Sequence, residues 1–169
     1  MENSKVSTQF FTKRVEVLNL NMKRKKQISK KSVKVKDLSY AQINIDYSEI
    51  KRIKATVRGY FGKAFTVDLN LENYQGVWAQ ESGTYDETVI TFSNEECEKF
   101  RDELKNTNIL HWNPKYEKAN LVGGNKWSVQ ILTEEGKICK SGSNKFPKEF
   151  GLFCKLIEEV CGQTFEIPC

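Results

Sequence analysis

The chain has 169 residues, of which 38% are hydrophobic and 29% charged, with a formal net charge of +5. That length suits one domain with an extension, and a core of that size forms without disulfide staples; the 10 Phe, 6 Tyr and 3 Trp argue against a wholly disordered chain. No apolar run approaches the roughly 18 residues of a membrane span, and the N-terminus lacks the apolar segment of a signal peptide, so the expectation is a soluble, cytoplasmic protein with no membrane contact.

Charge divides the chain. Residues 1–58 carry 15 Lys/Arg against 5 Asp/Glu, a net of +10, and residues 59–169 carry 12 against 17, a net of −5. The expected organisation is therefore a basic, partly stranded N-terminal region over 1–58, its first residues disordered, and an acidic α+β domain over 59–169. The densest basic run holds Lys23, Arg24, Lys25, Lys26, Lys30, Lys31, Lys34 and Lys36. Such a run creates a local positive potential suited to nucleic-acid phosphates or to an acidic protein surface. A solvated basic segment explains the same residues. The run has no closely interleaved aromatics and no helix-turn-helix or zinc-finger pattern.

Along the chain, Val33 and Val35 alternate with lysines, Ile43 and Ile45 with polar residues, and Ile53, Ala55 and Val57 continue the period of two. These read as short strands with one polar face. Arg58-Gly-Tyr-Phe-Gly-Lys63 joins the basic and acidic halves. It reads as a turn with one buried ring, or as an aromatic platform beside basic residues. Phe65, Val67, Leu69 and Leu71 alternate as a half-buried strand, Val77-Trp78 begins another, and Thr88–Phe92 is β-branched and aromatic. Trp78 precedes a polar turn, which makes it a candidate exposed anchor for a protein partner.

Ser93-Asn-Glu-Glu96 is a capping box, and Cys97, Phe100 and Leu104 follow at helical spacing, so a helix is predicted over 93–106. Trp127, Val129 and Ile131 alternate, and Lys137–Lys140 pairs back as a hairpin. Phe146, Phe150, Phe153, Ile157 and Val160 fall on one helical stripe closed by Gly162. Thr164–Ile167 reads as a last short strand. The order reads as ββα-ββα, hence an α+β fold: an antiparallel sheet with two main helices on one face.

The run Trp127-x-Val-x-Ile131, the hairpin turn, Ser141-Gly-Ser-Asn144, Phe146-Pro147 and Phe150-x-x-Phe153 resembles a pattern in small uncharacterised proteins of low-GC Gram-positive bacteria or their phages. The resemblance covers about residues 60–165. It implies a tryptophan strand, a hairpin, a corner and a closing helix, and it implies no mechanism.

Candidate chemistry is sparse. Ser141, Gly142, Ser143, Asn144, Lys145 and Lys148 precede the last helix, where free amides and a positive dipole end favour an anion. A structural corner uses the same residues: Gly142 turns the chain, Ser143 or Asn144 caps, and Pro147 opens the helix. No phosphate-loop spacing is present. His111 is the only histidine and has no recognised nucleophile nearby. Cys97, Cys139, Cys154, Cys161 and Cys169 show no CxxC spacing and read as reduced thiols, with no metal and no cofactor. Glu81, Asp86, Glu87, Glu134 and Glu135 read as turn charges.

The reading that follows is a non-enzymatic binding protein, an inhibitor or adaptor, using its basic region on a nucleic acid or an acidic protein. The alternative is a small enzyme centred on His111 or the Lys140–Lys148 corner. Self-association through the opposite charges of the two halves is a third reading.

Overall fold

Period-two alternation builds the sheet that organises this protein. The computed structural model describes residues 45–118 and 123–167. Seven strands are present among them: β1 (Arg52–Arg58), β2 (Ala64–Asn70), β3 (Gln75–Glu81), β4 (Tyr85–Thr91), β5 (Lys115–Glu117), β6 (Lys126–Leu132) and β7 (Lys137–Ser143). They form one sheet in the order β4-β3-β2-β1-β6-β7-β5. All neighbours are antiparallel except the short edge pair β5 and β7.

Helix α1 (Asn94–Asn106) follows β4 and α2 (Phe150–Cys161) follows β7. Both pack on one face. Ile53, Ala55 and Val57 of β1, Phe65, Val67 and Leu69 of β2, and Trp127, Val129 and Ile131 of β6 share one core with Cys97, Phe100 and Leu104 of α1 and Phe150, Phe153 and Ile157 of α2. Each Val, Leu, Ile or Phe among them, fully buried, contributes roughly 1.5–3 kcal/mol of apolar transfer. The α+β architecture with two helices on one face is as expected. The element order is four strands, a helix, three strands and a helix, rather than ββα twice.

Local signals explain the ends of the elements. Ser93 accepts from the Glu96 amide (3.1 Å) while Glu96 accepts from the Ser93 amide (2.7 Å), the reciprocal capping box. Gly162 closes α2 in the left-handed region at φ 61°. The predicted hairpin of β6 and β7 is present, with Leu132 opposite Lys137. Residues 164–167 form no strand. Instead Phe165 is buried in the core and its amide donates to the Glu158 carboxylate (2.8 Å).

The chain divides into two units, Met1–Val35 and Lys36–Cys169, and every described residue belongs to the second. The change of charge at residue 58 is not a boundary of the fold. β1 lies at the centre of the sheet, bonded to β2 on one side and β6 on the other. The expected strands around Val33 to Ile43 lie outside the described residues.

Candidate functional site

The sheet has one covered face and one bare face. Pairing register places Arg52, Lys54, Thr56 and Arg58 of β1 on the bare face, beside Ala64, Thr66 and Asp68 of β2 and Lys126, Ser128 and Gln130 of β6. Small side chains run across the strands at one level, from Ala79 through Thr66, Thr56 and Ser128 to Ser141. The sheet's curvature leaves a shallow concavity of about 460 Å³ over β1 to β4, lined by Arg52, Lys54, Asp68, Glu81, Tyr85 and Glu87 among others.

One end of this face differs from the rest. Between β1 and β2 the chain turns through Gly59-Tyr60-Phe61-Gly62. The Gly62 amide donates to the Gly59 carbonyl (3.2 Å), the Gly59 amide donates to the Lys63 carbonyl (2.8 Å), and Gly62 sits at φ 87°. A tight turn followed by a left-handed glycine thrusts its two central residues off the tip. Those residues are aromatic. Tyr60 is 64% and Phe61 83% exposed, with ring centroids 5.2 Å apart and planes at 88°. The expected single buried ring is not found.

The tip is braced. Arg58 donates to the Gly62 carbonyl (3.1 Å) and to the Glu81 carboxylate (2.8 Å). The Tyr60 amide donates to the Asn125 side chain (3.1 Å). Asn125 in turn donates its amide to the Asn144 side chain (2.9 Å), and Asn144 donates its side-chain amide to the Gly123 carbonyl (2.7 Å). Gly123 lies so close to the Tyr60 ring that an added Cβ would sit 3.1 Å from it. Two stretches far apart in sequence, Arg58–Lys63 and the polar corner at Ser143–Lys145, thus become one surface. Arg58 pairs with Lys126, Lys126 with Ser143, and the Lys118 amide donates to the Ser143 carbonyl (3.2 Å). Lys118, Lys126 and Lys145 sit in this neighbourhood, and none has a carboxylate at ion-pair distance among the described residues; Lys63 turns to the covered side, its Nζ 4.9 Å from the centroid of the Phe65 ring.

The corner itself is built otherwise than expected. Ser141, Gly142 and Ser143 belong to β7, held by β6 on one side and by β5 on the other. α2 begins only at Phe150, and its N-cap Glu149 makes no side-chain cap bond. The polar residues therefore do not face a helix start. Gly142 is required because the Trp127 indole occupies the space a side chain would take. The Trp127 Nε1 donates to the Lys145 carbonyl (2.9 Å). Asn144 adopts φ 54° and spends its side chain on the relay to Asn125 and Gly123. Lys145 and Lys148 are exposed.

Lys140 opens the expected corner but points the other way. It lies on the core face of β7, 2% exposed, and its Nζ donates to the carbonyls of Leu110 (3.1 Å) and Trp112. Burial lowers its pKa to about 8. A cation there suits the C-terminal end of the one-turn 3-10 helix Ile109–His111. His111 is an exposed residue of that turn. Lys140 and the His111 turn are adjacent, but through backbone carbonyls.

Trp78 is corrected from an exposed anchor to a core residue. It is 5% exposed, stacks on Phe65 at 5.8 Å, and donates its Nε1 to the Thr164 carbonyl (2.8 Å). Cys154 and Cys161 are buried, which pushes both thiols up to about 12 and makes them poor nucleophiles. Cys139 is exposed on the bare face. Among the described residues no group of three His, Cys, Asp or Glu side chains is arranged to hold a metal ion. None of the described helices is long and apolar enough to cross a membrane. The basic run from Lys23 to Lys36 lies outside the described residues.

The chain matches no family model, and no curated protein is significantly similar to it.

Proposed function

We propose that this protein binds a polyanion, a nucleic acid, and performs no chemistry of its own. The observation that carries the reading is the cationic end of the sheet. Lys118, Lys126 and Lys145 meet around Ser143 from three separate segments, each without a carboxylate partner among the described residues. Lysines without a carboxylate partner attract phosphates and release counterions when they bind. The basic run from Lys23 to Lys36 supplies a second source of positive charge in the same chain. An inhibitor or adaptor acting on nucleic-acid-bound machinery is a role consistent with this chemistry.

The test is fluorescence anisotropy with a labelled oligonucleotide across a salt series. The logarithm of the affinity should fall linearly with the logarithm of salt concentration. Lys126→Gln should lower the slope by about 0.7, the value for one single-strand phosphate contact. Lys51→Gln should leave it unchanged, since Lys51 already bridges Glu72 (3.1 Å) and Glu134 (2.9 Å). Binding insensitive to salt would overturn the reading.

A further inference from the structure

We infer that the tip of the β1–β2 hairpin is a base-stacking site, and that the polyanion this protein selects is a single-stranded nucleic acid. The inference rests on the polyanion reading and names its substrate class. Tyr60 and Phe61 are the two central residues of a tight turn, 64% and 83% exposed. Singly exposed apolar side chains are ordinary on protein surfaces. These two are adjacent, and the Tyr60 side is fixed by the Asn125 bond and by the close approach of Gly123.

Their geometry suits bases. The rings stand edge to face, at 88°. In such a pair the ring that presents its edge keeps both faces clear of its partner and the other ring keeps one, so the open faces look in different directions. Consecutive bases splayed apart, as they are in an unpaired strand, have a ring face each to lie on. Paired bases in a duplex hide their faces in the stack and gain nothing from such a tip. Charge is placed to match. Lys126 lies opposite Arg58 at the base of the hairpin, with Lys118 and Lys145 beside it around Ser143, while Arg58 itself is held by Glu81. From there the bare face continues as the lane of Thr66, Thr56, Ser128 and Ser141, with Lys54 beside it, 3.9 Å from the Asp68 carboxylate. Small hydroxyl side chains leave room for a backbone and offer hydrogen bonds to it, while the cations meet phosphates. Aromatic faces for bases beside cations for phosphates is the general design of sequence-tolerant single-strand binding.

The experiment uses the full chain. Anisotropy is measured with fluorescein-labelled dT20 and with a duplex of the same length, using heparin as the base-free polyanion competitor. The Tyr60→Ala/Phe61→Ala variant should lose about tenfold or more in affinity for dT20, given the usual worth of one to two stacked bases. Its displacement by heparin and its weaker duplex binding should change less than twofold. Irradiation with a 5-bromouracil-substituted strand should label the Gly59–Lys63 peptide. If the variant binds dT20 as tightly as the wild type, the stacking site is wrong and the polyanion reading survives. If the wild type binds none of the three probes, the polyanion reading itself falls. If the variant loses binding to anionic phosphatidylglycerol vesicles but keeps dT20, the tip is a membrane-surface anchor and the inference is overturned. A Tyr60→Trp/Phe61→Trp variant that restores or strengthens dT20 binding would separate loss of stacking from a disturbed turn.

Discussion

The two ends of the sheet carry similar parts and use them oppositely. At the β2–β3 end, Tyr74 is 37% exposed, lies edge-on to Phe92 at 6.4 Å, and donates its hydroxyl to the Asn94 side chain (2.9 Å). The cations beside it are paired: Lys51 with Glu72 and Glu134, and Arg52 with Asp68 through two bonds of 2.6 and 2.7 Å. At the β1–β2 end Arg58 is tied to Glu81, but Tyr60 and Phe61 stand in solvent, and Lys118, Lys126 and Lys145 around Ser143 have no carboxylate partner among the described residues. A hairpin, a tyrosine and some lysines are not a site in themselves. Whether ring faces and charges are already satisfied within the fold decides what is left for a ligand.

The sharpest test of this contrast removes the support of the open end. Gly142→Ala drives a methyl group into the Trp127 indole. It should destabilise the fold by about 3 kcal/mol, the upper range for overpacking a well-filled core. A denaturant midpoint within error of the wild type would mean that Trp127 does not fix the corner.

Next in size, the two hairpin tyrosines should separate. Tyr74→Ala loses a ring contact and a hydrogen bond and should cost about 1–2 kcal/mol, with oligonucleotide binding unchanged. Tyr60→Ala removes a mostly exposed ring and should stay within about 0.5 kcal/mol, while binding weakens. Equal stability losses in the two variants would erase the distinction between sealed and open ends.

The smallest effect concerns Lys140, the lysine that the fold buries while its neighbours stay wet. Its folded pKa of about 8 lies below the ordinary 10.5. Below pH 8 both folded and unfolded chains carry the proton, and the cost of burying the charge is constant. Between about 8 and 10.5 the unfolded chain holds a proton that the fold has released, so stability rises with pH. The buried thiols Cys154 and Cys161 act the other way as pH approaches and passes 9.0, because the fold keeps protons that the unfolded chain loses. The net expectation is a gain of about 0.5 kcal/mol from pH 7.5 to 9, because the two thiols offset most of the rise due to Lys140, read from urea midpoints. Lys140→Met should abolish that rise, and parallel profiles for the two proteins would refute it.

Much of the fold was legible in the chain, because its signals are local. The capping box at Ser93–Glu96, the alternation of Phe65–Leu71 and Trp127–Ile131, and the stripe closed by Gly162 each lie within one element and report its period. The site was only partly legible. Arg58–Lys63 and the corner at Ser141–Lys145 were both noticeable as sequences, but nothing in either says that Asn125 and Asn144 tie them together. Lys118, Lys126 and Asn125 carry no pattern that marks them.

What the sequence determined by itself is therefore the period of the main strands and helices, the capping box of α1, the closing glycine of α2, and the separation of positive from negative charge. Only the tertiary structure decided that Trp78 is core, because its indole partner is a carbonyl at Thr164, far along the chain. It also decided that Ser141–Ser143 are strand, because β5 and β6 flank them, and that Lys140 points inward, to the carbonyls of Leu110 and Trp112. The same holds for the two exposed rings. A residue's neighbours in sequence set its local conformation. Its burial, its hydrogen-bond partners and the charges around it come from segments that meet only when the sheet is assembled.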